Sequence, residues 1–495
     1  MDEQFNVNHY YNNYRLILPQ FFVNPFAHAQ IIPVKKISTT PYVPPEIIRI
    51  ILGLLRNDKK TLASCALVNH TFNLHATPIL YDTVAFTFPY TFTLFANATN
   101  DIKKRCSKMI RHLDLSGFST CGLQKSSSSI QKVITPDLLI HILRSFPSLK
   151  AFSISDTLES VITLDVLKVL FLECKNINTI DFCGCSTKQF GIALEEFSGF
   201  IGRVKIIQQF DDNDEEMVTF NMNQKPLLSH VQRLSLHECP VISECSTIIP
   251  LLAHAPNLTH LDLGGCSVGD LTLTFLGVGT NAPTTLSHLL LAKCKNISSS
   301  AIASFVFKCS QLETLNLYGE RDIATAIAEC DLMTILCSPN AKNFQTLDIG
   351  SSQITPMILT AIKENCSSLQ NLGISRAQIS NISLIKDLLS VMTNLQYIDL
   401  TSIPCFNPLN TNNLFTTITK NNHHIQTIEM SESLLKKLCA IDGWKINFNY
   451  GRRWYYARET LDFSKPEMTH YRKLDITESG PECLSKIFQY YSFGV

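Results

Sequence analysis

The chain has 495 residues, of which 45% are hydrophobic and only 17% charged, so it has ample material for a large core. Lys and Arg together number 42, as do Asp and Glu, and this balance argues against a nucleic-acid-binding protein or one that binds an anionic membrane surface. No apolar run reaches the roughly 18 residues of a transmembrane helix, and the polar N-terminus lacks a signal peptide, so the 17 cysteines are predicted to be reduced thiols in the cytoplasm or nucleus.

The first 85 residues begin with an irregular segment and continue into helices. Residues 1–40 are rich in Asn, Tyr and Phe without a clear period, which predicts a flexible or loosely docked leader. Pro44-Pro45 then opens a predicted helix, because proline suits a first helical turn. An apolar stripe follows at helical spacing: Ile47, Ile48, Ile51, Leu52 and Leu55. Two further short helices are predicted before residue 85. Such a small piece buries little core alone, so residues 41–85 are expected to need a partner or a neighbouring domain.

From residue 110 onward, an apolar triplet at positions i, i+3 and i+5 recurs along the chain. Leu258/Leu261/Leu263 is a clear copy, and Ile201/Val204/Ile206 is a weaker one. Triplets between residues 177 and 425 start 24 to 32 residues apart, close to the period of leucine-rich repeats. Each triplet ends in an alternation typical of a strand with one buried face. The sequence therefore predicts an α/β leucine-rich-repeat solenoid over residues 110–440, a curved parallel sheet with outer helices.

The remaining segments are predicted to flank or interrupt this array. Residues 86–109 are interpreted as a linker or N-terminal cap, and the acidic run from Asp211 to Glu216 as an exposed insertion. Residues 441–495 are predicted to be a final repeat and cap, since a terminal repeat must cover an exposed core. A last triplet copy would start at Tyr471. Within this cap, Arg452 and Arg453 either bind a phosphate group or stack on neighbouring aromatic rings.

The segment from Val43 to Phe72 resembles the F-box motif. The resemblance is carried by Val43, Pro44, Glu46, Ile47, Ile48, Ile51, Leu55, Leu67, Val68 and Phe72. The motif usually has Leu, Arg and Trp where this chain has Val43, His70 and Phe72. In the repeats, Cys239, Cys266 and Cys294 each fall three residues after the last triplet position. An F-box ahead of cysteine-containing repeats is similar to the F-box/LRR family.

This resemblance implies a substrate receptor of an SCF-type E3 ubiquitin ligase, a non-catalytic subunit that directs protein degradation. The F-box would bind a Skp-type adaptor, and through it a cullin-RING ligase, while the repeats would hold a protein target. The expected adaptor contacts are Val43, Pro44, Ile47, Ile48, Ile51, Leu55, Val68 and Phe72. Alternatively, these side chains pack on the first repeat, and the chain is an LRR interaction scaffold that assembles no ligase.

Target binding is predicted for the strand residues that point away from the core, because side chains alternate along a strand. These residues are His237, His260, Asp262, Asn316, Tyr318, Asp348, Tyr397, Asp399 and Glu429. A stacked array of such strands forms a long concave surface suited to a protein partner. The alternative is an ordinary solvated face.

No motif in the sequence predicts catalysis, a cofactor or a metal. A phosphate-binding glycine loop and a Gly-x-Ser-x-Gly motif are both missing. Cys183-Gly184-Cys185 lacks the spacing of a zinc clip, and His423-His424 is an isolated pair. An enzyme in the C-terminal region is a further alternative, and it would need a concave pocket of convergent polar groups.

Overall fold

The computed structural model describes residues 43–458 apart from 57, 87–89, 98–105, 119–133, 211–215, 222–224, 320–326, 422–423, 436, 438–443 and 449–453. Several predictions fall outside the described residues: the leader, most of the acidic run, Arg452, Arg453, His423 and the last triplet copy at Tyr471.

Three short helices open the described chain: α1 (Pro45–Leu54), α2 (Lys59–Ala66) and α3 (His70–Asp82). Side chains cap two of them, since Oδ1 of Asp58 accepts the N–H of Thr61 and Oδ1 of Asn69 accepts that of Phe72. The helices share a small core of their own, made of Ile48, Leu52, Leu62 and Ala76.

The third helix runs directly into the main sheet. Strand β1 (Thr83–Ala85) follows α3 without a loop and pairs in parallel with β2 (His112–Leu115). The backbone N–H of Arg111 donates to the carbonyl of Asp82 at 2.9 Å, and the two side chains form an ion pair at 3.5 Å. The sheet therefore begins at Thr83, earlier than the predicted residue 110, and the helical box joins the solenoid through its first strand.

One end of the solenoid core is closed by aromatic packing. Helix α4, over residues 90–97, buries Phe92 and Phe95. Their rings contact Phe86, while Phe92 also contacts Phe118 and Phe95 contacts Phe146. The described part of residues 86–109 thus covers the first repeat.

Most of the described strands are stacked side by side in one sheet. After β1 and β2 come β3 (Ala151–Ile154), β4 (Thr179–Asp181), β5 (Lys205–Phe210), β6 (Glu216–Asn221), β7 (Arg233–Ser235), β8 (His260–Asp262), β9 (His288–Leu290), β10 (Thr314–Asn316), β11 (Thr346–Asp348), β12 (Asn371–Gly373), β13 (Tyr397–Asp399), β14 (Thr427–Met430), β15 (Trp444–Phe448) and β16 (Trp454–Arg458). All except β5 and β6 form one sheet, parallel from β1 to β14 and closed by an antiparallel β16–β15 hairpin.

The register of this sheet explains the periodic triplets. Cα partners align the middle triplet residue of each repeat, so that Leu234, Leu261 and Leu289 lie side by side and fully buried. The same row continues through Leu315, Leu347, Leu372, Ile398 and Ile428. The predicted leucine-rich-repeat solenoid is confirmed by this row of strands with helices on one side.

The helices of the solenoid lie in the segments that connect successive strands. They are α5 (Pro136–Ser145), α6 (Leu164–Lys168), α7 (Lys188–Ile201), α8 (Ile249–His254), α9 (Asp270–Gly279), α10 (Ala282–Thr285), α11 (Ser299–Lys308), α12 (Glu329–Leu336), α13 (Pro356–Asn365), α14 (Ile382–Val391), α15 (Pro408–Asn421) and α16 (Glu432–Leu435). Hydroxyl side chains cap several of them, including Thr135, Thr187 and Ser298. Among the helices described, none is both long and apolar enough to cross a membrane.

One predicted repeat is wrong. The weak triplet at Ile201/Val204/Ile206 does not add a strand to the sheet, since β4 pairs directly with β7. Instead β5 and β6 pair with each other as an antiparallel ribbon. The ring of Phe220 packs on that of Phe275 in α9 at 4.9 Å between centroids, which anchors the ribbon to the helical side.

The repeat cysteines bond between neighbouring units. The Sγ of Cys239 donates to the carbonyl of Phe182 at 3.3 Å, that of Cys266 to Leu236 at 2.9 Å, and that of Cys294 to Leu263 at 3.2 Å. Burial raises the pKa of the Cys294 thiol to about 12. The Cys294 thiol is thus a protonated packing group. The described residues include no cluster of His, Cys, Asp or Glu arranged to hold a metal ion.

Candidate functional site

Helix α1 is apolar on two faces, and only one of them is covered. Ile48 and Leu52 are buried in the small helical core. A second stripe at positions i, i+3, i+4 and i+7 is 45% to 83% exposed and consists of Ile47, Ile50, Ile51 and Leu54. An open aliphatic stripe along a whole helix is typical of a protein-binding surface, because it is costly to leave in water.

The structure divides the predicted adaptor contacts into two groups. Val43, Pro44, Ile47, Ile51 and Val68 are exposed, as a docking surface requires.

Three of the predicted contacts belong to the helical core instead. Ile48 is buried in it, and Leu55 and Phe72 are half-buried against it. The physical reason is the helical period: Ile48, Leu52 and Leu55 lie on the face of α1 that packs inward.

Three further apolar residues of the box are exposed but absent from the predicted contacts: Ile50, Leu54 and Leu67. For two of these residues, the helical spacing in the sequence indicates the exposed position. Ile50 and Leu54 complete a second helical stripe with Ile47 and Ile51, whereas the sequence analysis predicts only one apolar stripe on this helix. We call Ile47, Ile50, Ile51 and Leu54 the α1 stripe.

The predicted target-binding face of the strands is largely closed. Seven of the nine predicted residues are at most 9% exposed: His237, Asp262, Asn316, Asp348, Tyr397, Asp399 and Glu429. His260 and Tyr318 are half-buried. The expectation of an open strand face is therefore wrong for most of these positions, although their part in target binding remains a prediction.

Several of these buried side chains form hydrogen bonds with neighbouring strands or with the following turn, which hold them close to the sheet. The Tyr397 hydroxyl donates to Oε2 of Glu429 at 2.6 Å. Several strands carry, at or next to their last position, an Asp or Asn whose Oδ1 accepts the backbone N–H two residues later. These residues are Asp114, Asp181, Asp262, Asn316, Asp348 and Asp399. Such side chains hold the turn between strand and helix.

Two histidines on adjacent strands stack on each other. The rings of His260 and His288 lie 3.9 Å apart between centroids, with an interplanar angle of 14°. Burial lowers the pKa of His260 to about 2, and the nearby His288 and Arg233 add to this effect. The His260 imidazole is therefore neutral throughout the physiological range.

The pKa of a third histidine, His237, shifts in the opposite direction. Nδ1 of His237 lies 3.0 Å from Oδ1 of Asp262. Burial opposes a positive charge on His237, but the carboxylate of Asp262 and its hydrogen bond outweigh burial and raise the pKa of that imidazole. Gly264 permits this contact, since a Cβ there would lie 2.6 Å from Nδ1 of His237.

We expect His260→Gln to make the fold less sensitive to acid. An unfolded histidine titrates near 6.5, so below that pH the unfolded state binds a proton that folded His260 does not. Between about pH 7.5 and pH 5.5 the wild type should therefore lose about 1 kcal/mol more free energy of unfolding than the variant. Chemical denaturation at both pH values measures the difference, and equal losses would contradict the assignment of a neutral His260.

On the side of the solenoid that carries the predicted target-binding residues, a half-exposed ridge lies just beyond the carboxyl ends of the strands. In several repeats, the residue three positions after the strand has a positive φ, between 55° and 80°. We call these positions the carboxyl rim: Gly184, Glu238, Gly265, Lys293, Ser351, Arg376 and Ser402. The rim is difficult to predict from the sequence, because glycine marks the left-handed conformation at only two of these positions.

An ion pair bridges two repeats along the rim. Nζ of Lys293 donates to Oε1 of Glu238 at 2.9 Å, passing over Gly265. A Cβ at Gly265 would lie 2.8 Å from the Glu238 carboxyl carbon, and the backbone there has a φ of +71°. Glycine at position 265 thus avoids both a close contact with Glu238 and the strain of a positive φ.

Two substitutions on the rim should therefore change stability in opposite directions. Gly265→Ala is expected to lower the free energy of unfolding by about 1–2 kcal/mol, because alanine is strained at positive φ. Ser402→Gly, at a φ of +59°, should raise it by up to about 1 kcal/mol by relieving the same strain. Denaturation midpoints compare the two variants, and changes of the same sign would contradict this account.

Comparisons with known proteins concern the helical box first. Residues 41–121 match the family model described as the COS11 F-box domain. The F-box protein YLR352W of Saccharomyces cerevisiae is 24% identical over 283 residues, which are 53% of this chain and 33% of that protein. The match thus spans about a third of the relative's length.

Two solved structures are more distant. The crystal structure of the Rad7 and Elc1 complex in yeast is 16% identical with a TM-score of 0.43, covering 73% of this chain and 89% of that one. The leucine-rich repeat-containing protein LegL7 from Legionella pneumophila is 15% identical with a TM-score of 0.35, covering 67% and 87%. At these scores, neither likeness adds to what the strand register shows.

Proposed function

We propose that this chain, an F-box/LRR protein with an F-box domain ahead of its solenoid, is the substrate receptor of an SCF-type E3 ubiquitin ligase. The F-box model matches the segment that contains the α1 stripe. The observation that carries the proposal is that stripe, four aliphatic side chains left open on a helix whose opposite face already fills its own core. A Skp-type adaptor would cover it.

The join between box and solenoid supports a receptor. Helix α3 ends at Asp82 and β1 begins at Thr83, and Arg111 bonds to Asp82 through both backbone and side chain. A flexible linker would let a bound target drift relative to the adaptor. A helix continued by a strand holds the two binding surfaces in a fixed orientation, which helps to place a target for ubiquitin transfer.

On the target side, we propose that the carboxyl rim and the half-buried Tyr318 make the contacts. The rim carries charged side chains at Glu238, Lys293 and Arg376 that remain within reach of solvent. In this role the chain is a non-catalytic subunit, and its work is to hold a protein target in the cytoplasm or nucleus. Its described cysteines are free thiols, which suits a reducing compartment.

Affinity purification of the full chain from cells tests the assembly. A ligase receptor should co-purify with a Skp-type adaptor and a cullin, and Leu54→Asp should remove both together. Recovery of other partners without adaptor or cullin, unchanged by Leu54→Asp, would instead favour the LRR interaction scaffold.

A further inference from the structure

We infer that Arg376 on the carboxyl rim is the centre of an oxyanion-binding site, which accepts a carboxylate or phosphate group on the target. That the ligand belongs to a target rests on the proposed function. The site itself rests on the geometry around Arg376 and on its charge.

The guanidinium of Arg376 is half-buried, with most of its hydrogen-bonding capacity open. Its Nη1 donates to Oγ of Ser351 at 3.2 Å, and its Cζ lies 5.7 Å from the centroid of the Tyr318 ring. Within the described part of the chain, no carboxylate lies within the 4.0 Å of an ion pair with it. An arginine has five N–H donors, so one hydroxyl acceptor leaves most of them available.

Unlike Arg376, the charged residues elsewhere on the rim form an ion pair. Glu238 and Lys293 neutralise each other across Gly265 at 2.9 Å. Arg376 instead bonds to Ser351 of the adjacent repeat, and serine carries no charge. The rim therefore has a net positive charge at Arg376, in a chain whose formal net charge is zero.

Buried hydroxyl groups without a hydrogen-bond partner lie in the row next to the rim. Ser375 is only 3% exposed, and its Oγ has no hydrogen-bond partner. The Oγ1 of Thr401, in the same row of the next repeat, also lacks one. Gly350 leaves the space, because a Cβ there would collide with Oγ of Ser375 and lie 2.9 Å from the Tyr318 ring. A buried hydroxyl without a partner is costly unless a ligand completes its bonding.

Two carboxylates lie on the neighbouring strands and oppose an anion. The Oδ1 of Asp348 accepts the N–H of Gly350, and that of Asp399 accepts the N–H of Thr401. Their turn bonds hold them in the strand rows, beyond ion-pair distance of Arg376.

The chemistry of these groups selects an oxyanion. A guanidinium presents parallel N–H donors that match the two oxygens of a carboxylate or phosphate, and its bonds to them are charge-assisted. Ser351 and Ser375 supply hydroxyl donors of the kind that complete such a shell. A neutral or cationic target group would leave the Arg376 charge uncompensated on binding. The site thus favours an acidic or phosphorylated side chain.

Titration of the full chain with inorganic phosphate, and separately with acetate, tests this site at constant ionic strength. The readout is the thermal unfolding midpoint, with chloride as the reference salt. Arg376→Gln removes the guanidinium, and Lys308→Gln is the matched control that removes a positive charge from an exposed position on α11. We expect a saturable rise of the midpoint for wild type and Lys308→Gln, and at least about tenfold weaker binding for Arg376→Gln.

The two anions distinguish the sources of the oxyanion. A response to phosphate alone indicates a phosphorylated side chain, and a response to both indicates that a carboxylate suffices. An equal response of Arg376→Gln and wild type would overturn the inference, because it would show only the general stabilisation that phosphate gives folded proteins. Adaptor binding, measured on the same samples, should be unaffected by Arg376→Gln, so failure of this site and failure of the ligase assignment are separate outcomes.

Discussion

Replacing Ile51 and Leu54 together by aspartate should abolish adaptor binding while the chain stays folded. Both side chains belong to the exposed α1 stripe and take no part in the small helical core. Central apolar anchors cost about 2 kcal/mol or more each when truncated, and a buried unpaired carboxylate adds a desolvation penalty. The expected loss of affinity is thus on the order of a thousandfold or more. Isothermal titration with a purified Skp-type adaptor measures it, and circular dichroism checks the fold.

The chain offers a matched control for this double variant. Leu409 on α15 is 74% exposed, close to the 83% of Leu54, but lies at the far end of the solenoid. Leu409→Asp should bind the adaptor like the wild type. If the stripe variant binds equally well, or if Leu409→Asp loses as much affinity, the stripe is not the docking surface.

Phe182→Ala is expected to destabilise the solenoid core strongly. The Phe182 ring is fully buried and packs on Phe152, Phe171 and Phe190 at 5.3 to 6.4 Å between centroids. These four rings come from one strand, two helical segments and the turn after β4, so the ring connects neighbouring repeats. Its removal should lower the free energy of unfolding by about 3–5 kcal/mol. Equilibrium denaturation in urea measures the change.

An exposed phenylalanine provides the comparison. Phe307 on α11 is 51% exposed, and Phe307→Ala should change the free energy of unfolding by no more than about 0.5 kcal/mol. Similar effects of the two substitutions would mean that the aromatic cluster does not join the repeats as described.

The sequence predicts the fold of the solenoid well because the physics there is local and repeated. Every unit must bury the same strand position, so Leu261, Leu289 and Leu315 recur at nearly constant spacing and align in the sheet. The ribbon of β5 and β6 breaks the rule, because an antiparallel hairpin with an apolar side gives a similar local pattern. Only the pairing of β4 with β7 distinguishes the two.

Accessibility could not be predicted in the same way. Strand alternation gives the direction of the Asp262 and Asp348 side chains, but their burial depends on bonds to the following turn and on neighbouring repeats. The carboxyl rim was missed for a related reason. The positive φ of Lys293 or Arg376 follows from the repeat geometry, and nothing in the residue type indicates it.

For the helical box, the motif predicts the helices but does not determine which side chains are exposed. Its pattern located the first helix of the box, and the F-box family model matches the segment that contains it. It did not separate the inward face, with Ile48, from the outward one, with Ile50. The three-dimensional core assigns each face, and the outward stripe is what remains for a partner.

Direct binding of the purified full chain to a purified Skp-type adaptor tests the ligase-receptor assignment best. Size-exclusion chromatography with light scattering should show a one-to-one complex for the wild type and separate proteins for the Ile51→Asp, Leu54→Asp variant. Separate proteins for the wild type as well, with the fold intact, would contradict the assignment and leave the solenoid as an interaction scaffold.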